Sequence, residues 1–346
     1  MATIAEFIDK AKGHSTGAKD QRVRLLEMQP DVLETETGDI FFLTPVQRSL
    51  FQGAADTFNF DKWSFRQYCE RIAPHEAPME AKYVHACGAT LGLQQLKFWN
   101  EVNRDREGYL RLRVEENGRT TVRAFLSGLY QPIDAAPVAT HLQGLLPADQ
   151  VIEFSITDLY WSLTFWQHLP TDKRSYHVGF RVMGSEIGAM RHVRCDVLLR
   201  FVFRGADVSL PLLINKQPLA AIPYSNAGSQ ALNRLDRSLQ KGVQAADEAT
   251  EAVERRKQQT LKYPVDEFHE LVVAKGLPSN LKSLPVEAPQ RFEKIATKFD
   301  LACLLGDIAA ETRGRAKLRI EAAAGIYLLT GRIRLNNRNY DGDENA

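Results

Sequence analysis

Cysteine is scarce and unpaired. Cys69, Cys87, Cys195 and Cys303 share no ligand or bridge spacing, which excludes a disulfide framework and a thiolate metal site and predicts buried thiols in a reducing cytoplasm. No apolar run approaches the ~20 residues of a membrane span. The start of the chain mixes Glu6 and Asp9 with Lys10 and Lys12 instead of forming a leader. The expectation is a cytoplasmic protein without membrane contact. Glycine-rich loops of the P-loop or dinucleotide kind are missing, which removes the common ATPase and dehydrogenase sites. His85 with Cys87, His177 and His192 lack second ligands at metal spacing, so no metal or other cofactor is expected. Ser127 and Ser185 sit in no nucleophile elbow, and no catalytic residue is assigned. Charge of one sign is lacking too: 44 Lys and Arg face 43 Asp and Glu. Such a chain has no broad field for duplex DNA, so any nucleic-acid role must rest on a local surface.

Arginine in alternation is what the chain does have. From Val193 to Arg204, one side carries Val193, Cys195, Val197, Leu199, Phe201 and Phe203. The other side carries Arg194, Asp196, Arg200 and Arg204, the period-two pattern of a strand with one face on a core. Arg111 and Arg113 oppose Leu110, Leu112 and Val114; Arg123 opposes Val122 and Ala124; Arg181 opposes Phe180 and Val182. If these strands share one sheet, their guanidinium groups line one face. A planar fork of donors suits phosphate oxygens. An ordinary solvated face is the competing reading, because arginine stems also cover the water side of antiparallel sheets.

The pattern along the chain predicts an α+β fold: a central antiparallel β-sheet with an N-terminal helical segment and a helical C-terminal third. Residues 1–105 form a mixed and helical region, 106–226 the sheet, 227–335 helices packing on it, and 336–346 a disordered acidic tail. Thr44-Pro45 reads as the start of a helix over 46–52. Trp63, Phe65, Tyr68, Cys69 and Ile72 make one side of a helix over 61–72, and a third helical stretch over 83–100 is weakened by Gly88 and Gly92. Asn117-Gly118 predicts a hairpin of 109–115 with 119–127. Leu232, Leu235, Leu239, Val243 and Val253 place one long helix over 229–263, stopped by Pro264. Further helices are expected over 265–275, 291–299, 301–313 and 315–329.

Three spaced motifs carry a family resemblance. Arg123, Ala124, Phe125, Leu126 and Ser127, then Tyr130, Pro132 and Asp134, follow an Arg-x-x-x-Ser strand and a Tyr-x-x-(Ile/Leu)-Asp segment. His177 to Val182 with Ser185, Glu186 and Gly188 follows a strand ending in Asn-Ser-Glu before glycine. Ala310, Thr312, Ile320, Glu321, Ala324 and Gly325 follow a C-terminal helix pair. On these residues, spread over roughly 44–329, the chain resembles the phage- and plasmid-like proteins of domain-of-unknown-function family nine-three-two. Gly128-Leu129, Gly184 and Phe203-Arg204-Gly205 depart from that pattern at turn positions. The resemblance implies a mobile-element origin without a settled activity. The strand order ahead of a long helix is also similar in outline to single-strand-annealing recombination proteins, an analogy of fold alone.

The leading expectation is a mobile-element protein that binds single-stranded DNA or RNA in replication, recombination or repair, without hydrolysing nucleotide. Arg111, Arg113, Arg123, Arg181, Arg194, Arg200 and Arg204 would meet phosphates, and Tyr130, Tyr160, Trp161 and Trp166 would offer stacking surfaces. Ser185 and Glu186 mark a glycine-bracketed turn that is either structural or functional. The second expectation is a non-enzymatic assembly or host-defence-modulating protein, working through a homo-oligomer or a phage or host partner. A nuclease built on Glu186 with Asp134, Asp158 and Asp196 is the third.

Overall fold

A computed structural model describes residues 2–73, 79–146, 152–166, 176–190, 192–203, 206–212, 220–224 and 230–333. The fold is α+β, but two six-stranded sheets replace the single sheet expected. Four strands of the first sheet come from the region read as mixed and helical: β1 (Ala18–Arg24), β2 (Met28–Leu33), β3 (Ile40–Pro45) and β4 (Phe58–Phe60). They join β5 (Glu107–Val114) and β6 (Thr120–Ser127) in the order β1-β5-β6-β4-β3-β2. Every pairing is antiparallel except β4 with β6. The sheet therefore crosses the boundary expected at residue 106.

The β5–β6 hairpin forms at Asn117-Gly118 as the dipeptide predicts, with Gly118 at φ 80° and its N–H donated to the Glu115 carbonyl. Within it, Arg111 faces Ala124 while Leu112 faces Val122. Arg123 is thus an extra residue, a bulge that breaks the simple alternation read from the sequence. Leu110, Leu112, Val122 and Phe125 consequently share one core with Phe65, Tyr68 and Ile72 of α2 (Lys62–Ile72) and with Leu96. Ala124 and Leu126 enter the other, larger core.

The second sheet is antiparallel: β7 (Ile152–Ile156), β8 (Trp161–Trp166), β9 (Tyr176–Gly184), β10 (His192–Phe203) and β11 (Ala206–Leu212), with β12 (Ala220–Pro223) also paired to β10. Val182, Cys195, Val197, Leu199, Leu210 and Leu212 bury its apolar face. That larger core also takes up α1 (Ile4–His14), α5 (Ala135–Gln143), α6 (Gln230–Gln258), α7 (Pro264–Ala274), α9 (Lys298–Glu311) and α10 (Gly314–Thr330).

Four helix expectations need correction. Residues 46–52 are no α-helix: Thr44 and Pro45 end β3 opposite Gln29 and Met28, and only a short 3₁₀ turn follows. Residues 83–100 split into α3 (Ala81–Ala86) and α4 (Gly88–Val102), because Gly88 takes φ 75°. The long helix ends at Gln258; Pro264 instead opens α7, where its missing N–H is harmless. Residues 292–297 are not helical, since a 3₁₀ turn ends at Arg291 and Thr297 caps α9. Between α7 and α9 lies a four-residue helix, α8 (Leu284–Glu287). Among the described residues, no helix is long and apolar enough to cross a membrane. The expected tail, 336–346, lies outside them.

Candidate functional site: an ion-paired junction between the sheets

The face of the first sheet that carries Arg111 meets the turn between β9 and β10 and the start of α5. Arg111 is 2 % exposed. Its Nε donates to Asp20 Oδ1 at 3.1 Å, and its two terminal nitrogens donate to the Asp134 oxygens at 2.8 and 2.9 Å. Nη1 also reaches the Glu186 carbonyl oxygen at 2.5 Å. Burial alone would lower its pKa; the Asp134 and Asp20 carboxylates outweigh burial and hold it above the usual value. This guanidinium is fully engaged by protein and closed to a polyanion.

Arg123 and Arg113 are held more loosely. Arg123 sits 3.4 Å from Glu186 Oε2 and 3.3 Å from His14 Nε2. Arg113 donates to the His14 carbonyl at 3.1 Å, and its carboxylate neighbour, Asp158, stands 3.7 Å away and 84 % exposed. Burial and then the Arg113 charge lower the Arg123 pKa. Burial followed by Arg123 and Arg113 lowers that of His14, against a smaller upward pull from Asp158. Glu186 shifts the other way, raised by burial and by Asp134. A cavity of about 10 Å³ opens here, lined by His14, Arg123, Glu186 and the Ile156–Trp161 segment, with Tyr160 45 % exposed at its rim.

The Ser185–Glu186 turn is a fixed backbone element. Ser185 Oγ donates to the Leu159 carbonyl at 2.6 Å and accepts from Ile187 and Ala189 N–H. The Ser185 N–H donates to the Tyr224 hydroxyl at 2.6 Å. Glu186 Oε1 accepts from the Ala135 N–H at the start of α5. Tyr130 is buried, stacked on Tyr224 at 5.1 Å, with its hydroxyl donating to the Glu186 carbonyl. It offers no surface for a base.

The remaining arginines stand in the second sheet, so the proposed common face does not form. Arg194 Nε donates to the fully buried Asp196 at 2.7 Å, and Arg181 lies 3.7 Å from the other Asp196 oxygen. Glu321 of α10 is 6 % exposed. Burial raises its pKa while Arg181 and Lys317 pull it down. Arg181 Nε, Asp196 Oδ2 and Glu321 Oε2 are buried without a hydrogen-bond partner among the described residues. Arg200 pairs with Glu153 and lies 5.6 Å over the Trp166 ring. Trp161 is 1 % exposed, and Arg204 lies outside the described residues. The structure thus brings Arg111, Arg113, Arg123, Tyr130, Ser185 and Glu186 together and separates Arg181, Arg194 and Arg200 from them. Asp20 and His14 are members that sequence reasoning missed; neither stands in a motif.

A nuclease cluster is not assembled: Asp134 and Glu186 are bound to arginine and backbone, and Asp196 on β10 is paired with Arg194 and Arg181. Among the described residues, no three His, Cys, Asp or Glu side chains gather as metal ligands. No family model, curated protein or solved structure matches the chain.

Proposed function

We propose that the chain is a non-enzymatic protein of mobile-element origin that binds single-stranded nucleic acid at the mouth formed by Arg113, Arg123 and His14. The supporting observation is that two guanidinium groups and an imidazole meet there, beside the exposed ring of Tyr160. The contact is narrow. A seven-arginine face would give a salt slope near −5, at about −0.7 per phosphate for single strands; a mouth for one or two phosphates gives about −0.7 to −1.4. Fluorescence anisotropy with a labelled single-stranded oligonucleotide at several salt concentrations measures that slope. Tyr160→Ala and Arg113→Gln both weaken binding; no binding at low salt removes the reading.

A second reading, assembly with protein, has its own observation. Tyr83, Leu91, Phe98 and Val102 of α3 and α4 are all more than half exposed, and the last three follow helical spacing along one side. Light scattering of the wild type and Phe98→Glu reports whether this row mediates self-association.

A further inference from the structure

We propose that the cavity behind the mouth seats one oxygen of a phosphate-type oxyanion, and that the anion enters together with a proton. The inference deepens the nucleic-acid reading and rests on it for the identity of the molecule that carries the phosphate. Space and donors argue for the site. The cavity holds about 10 Å³, room for one oxygen-sized atom. Trp161 lines it and is 1 % exposed, yet its indole Nε1 has no acceptor among the described residues. A buried donor without an acceptor calls for an oxygen, and Arg123, whose guanidinium lies 3.3 Å from His14 Nε2, lines the same space. Arg113, joined to His14 at the carbonyl, supplies charge nearby.

Charge accounting requires the proton. Five charged or titratable groups face one another here: His14 from α1, Arg113 from β5, Arg123 from β6, Asp158 from the β7–β8 turn and Glu186 from the β9–β10 turn. Asp20 and Asp134 are occupied by Arg111. Two guanidinium groups therefore face two carboxylates, and an added anion leaves the mouth negative. With the site empty, Arg123 donates to a neutral His14 Nε2 at 3.3 Å. Burial and both arginines push the His14 pKa down, while burial and Asp134 push that of Glu186 up against the pull of Arg123 at 3.4 Å. An anion reverses the field on His14 and raises both pKa values, so protons are taken up on binding and affinity rises as pH falls.

The test uses the full chain and sodium sulfate, whose charge is constant over the interval, followed through the Trp161 indole N–H resonance assigned with Trp161→Phe. The expected result is a saturable shift of that resonance alone, about tenfold tighter at pH 6 than at pH 8. Arg113→Gln, at a side chain 29 % exposed, keeps the fold and weakens sulfate about tenfold. His14→Gln flattens most of the pH dependence. A shift that never saturates, equal shifts of every indole, or identical affinity at the two pH values overturns the inference. An oligonucleotide that binds while sulfate leaves Trp161 unmoved overturns it too, and leaves the nucleic-acid reading standing. Sulfate binding at Trp161 without oligonucleotide binding supports the site and removes nucleic acid as its source.

Discussion

Replacing Arg111 by methionine is the sharpest test of what holds the junction together. The side chain has similar length but no charge, so the substitution strips Asp20 and Asp134 of their shared cation, while the Glu186 carbonyl keeps only the Tyr130 hydroxyl. Breaking a buried ion pair from one side costs about 3–5 kcal/mol. Asp20 and Asp134 are 22 % and 24 % exposed, so water partly compensates and the loss falls near the lower end, about 3 kcal/mol. Arg111→Lys keeps the charge but loses the fork that spans two carboxylates, and costs roughly half as much. Adding Asp134→Asn to Arg111→Met removes one of the stranded charges, so the double variant is more stable than additivity predicts by about 1–2 kcal/mol. Urea unfolding followed by tryptophan fluorescence reads these losses as shifts of the midpoint at constant slope. An Arg111→Met loss below about 1 kcal/mol, or strict additivity with Asp134→Asn, refutes the claim that this network is a main bond between the sheets.

Glu321→Gln is expected to stabilise the protein at pH 8 more than at pH 4. The folded pKa of Glu321 is raised above the ordinary 4.5, so the wild type loses stability as pH rises through that interval, and thermal melts at the two pH values compare them. Gly325→Ala in α10 puts a methyl 1.8 Å from the Pro211 carbonyl oxygen of β11, forcing the helix off the strand at a cost of about 3 kcal/mol in urea unfolding. Asn100→Ala leaves the Leu25 and Met28 carbonyls and the Tyr68 hydroxyl without their shared partner, a loss of about 2–3 kcal/mol by the same measurement.

Elements with strong local signals were legible. The Asn117-Gly118 hairpin, the apolar side of α2 and the long helix α6 follow directly from residue spacing. The strands flanking that hairpin in the first sheet were not, because they lack pattern: β1 is polar between Ala18 and Val23, and β4 has three residues. Such strands exist only through distant partners. The arginines illustrate the same limit. Alternation placed Arg111 opposite the leucines of β5, but whether it met water depended on Asp20 and Glu186, 91 and 75 positions away. No local pattern carries that information. Spaced motif residues came closer: Arg123, Tyr130, Asp134, Ser185 and Glu186, separate in sequence, meet at one junction.

The pairing of β1 with β5 and of β4 with β6 bears on how this protein can be dissected. Cutting the chain near residue 106 strips the central hairpin of both neighbours and bares two raw edges beside Leu110, Leu112 and Phe125. Either half, expressed alone, is expected to clump instead of folding. Fragment work on this molecule therefore has to carry its first 127 residues as a single unit.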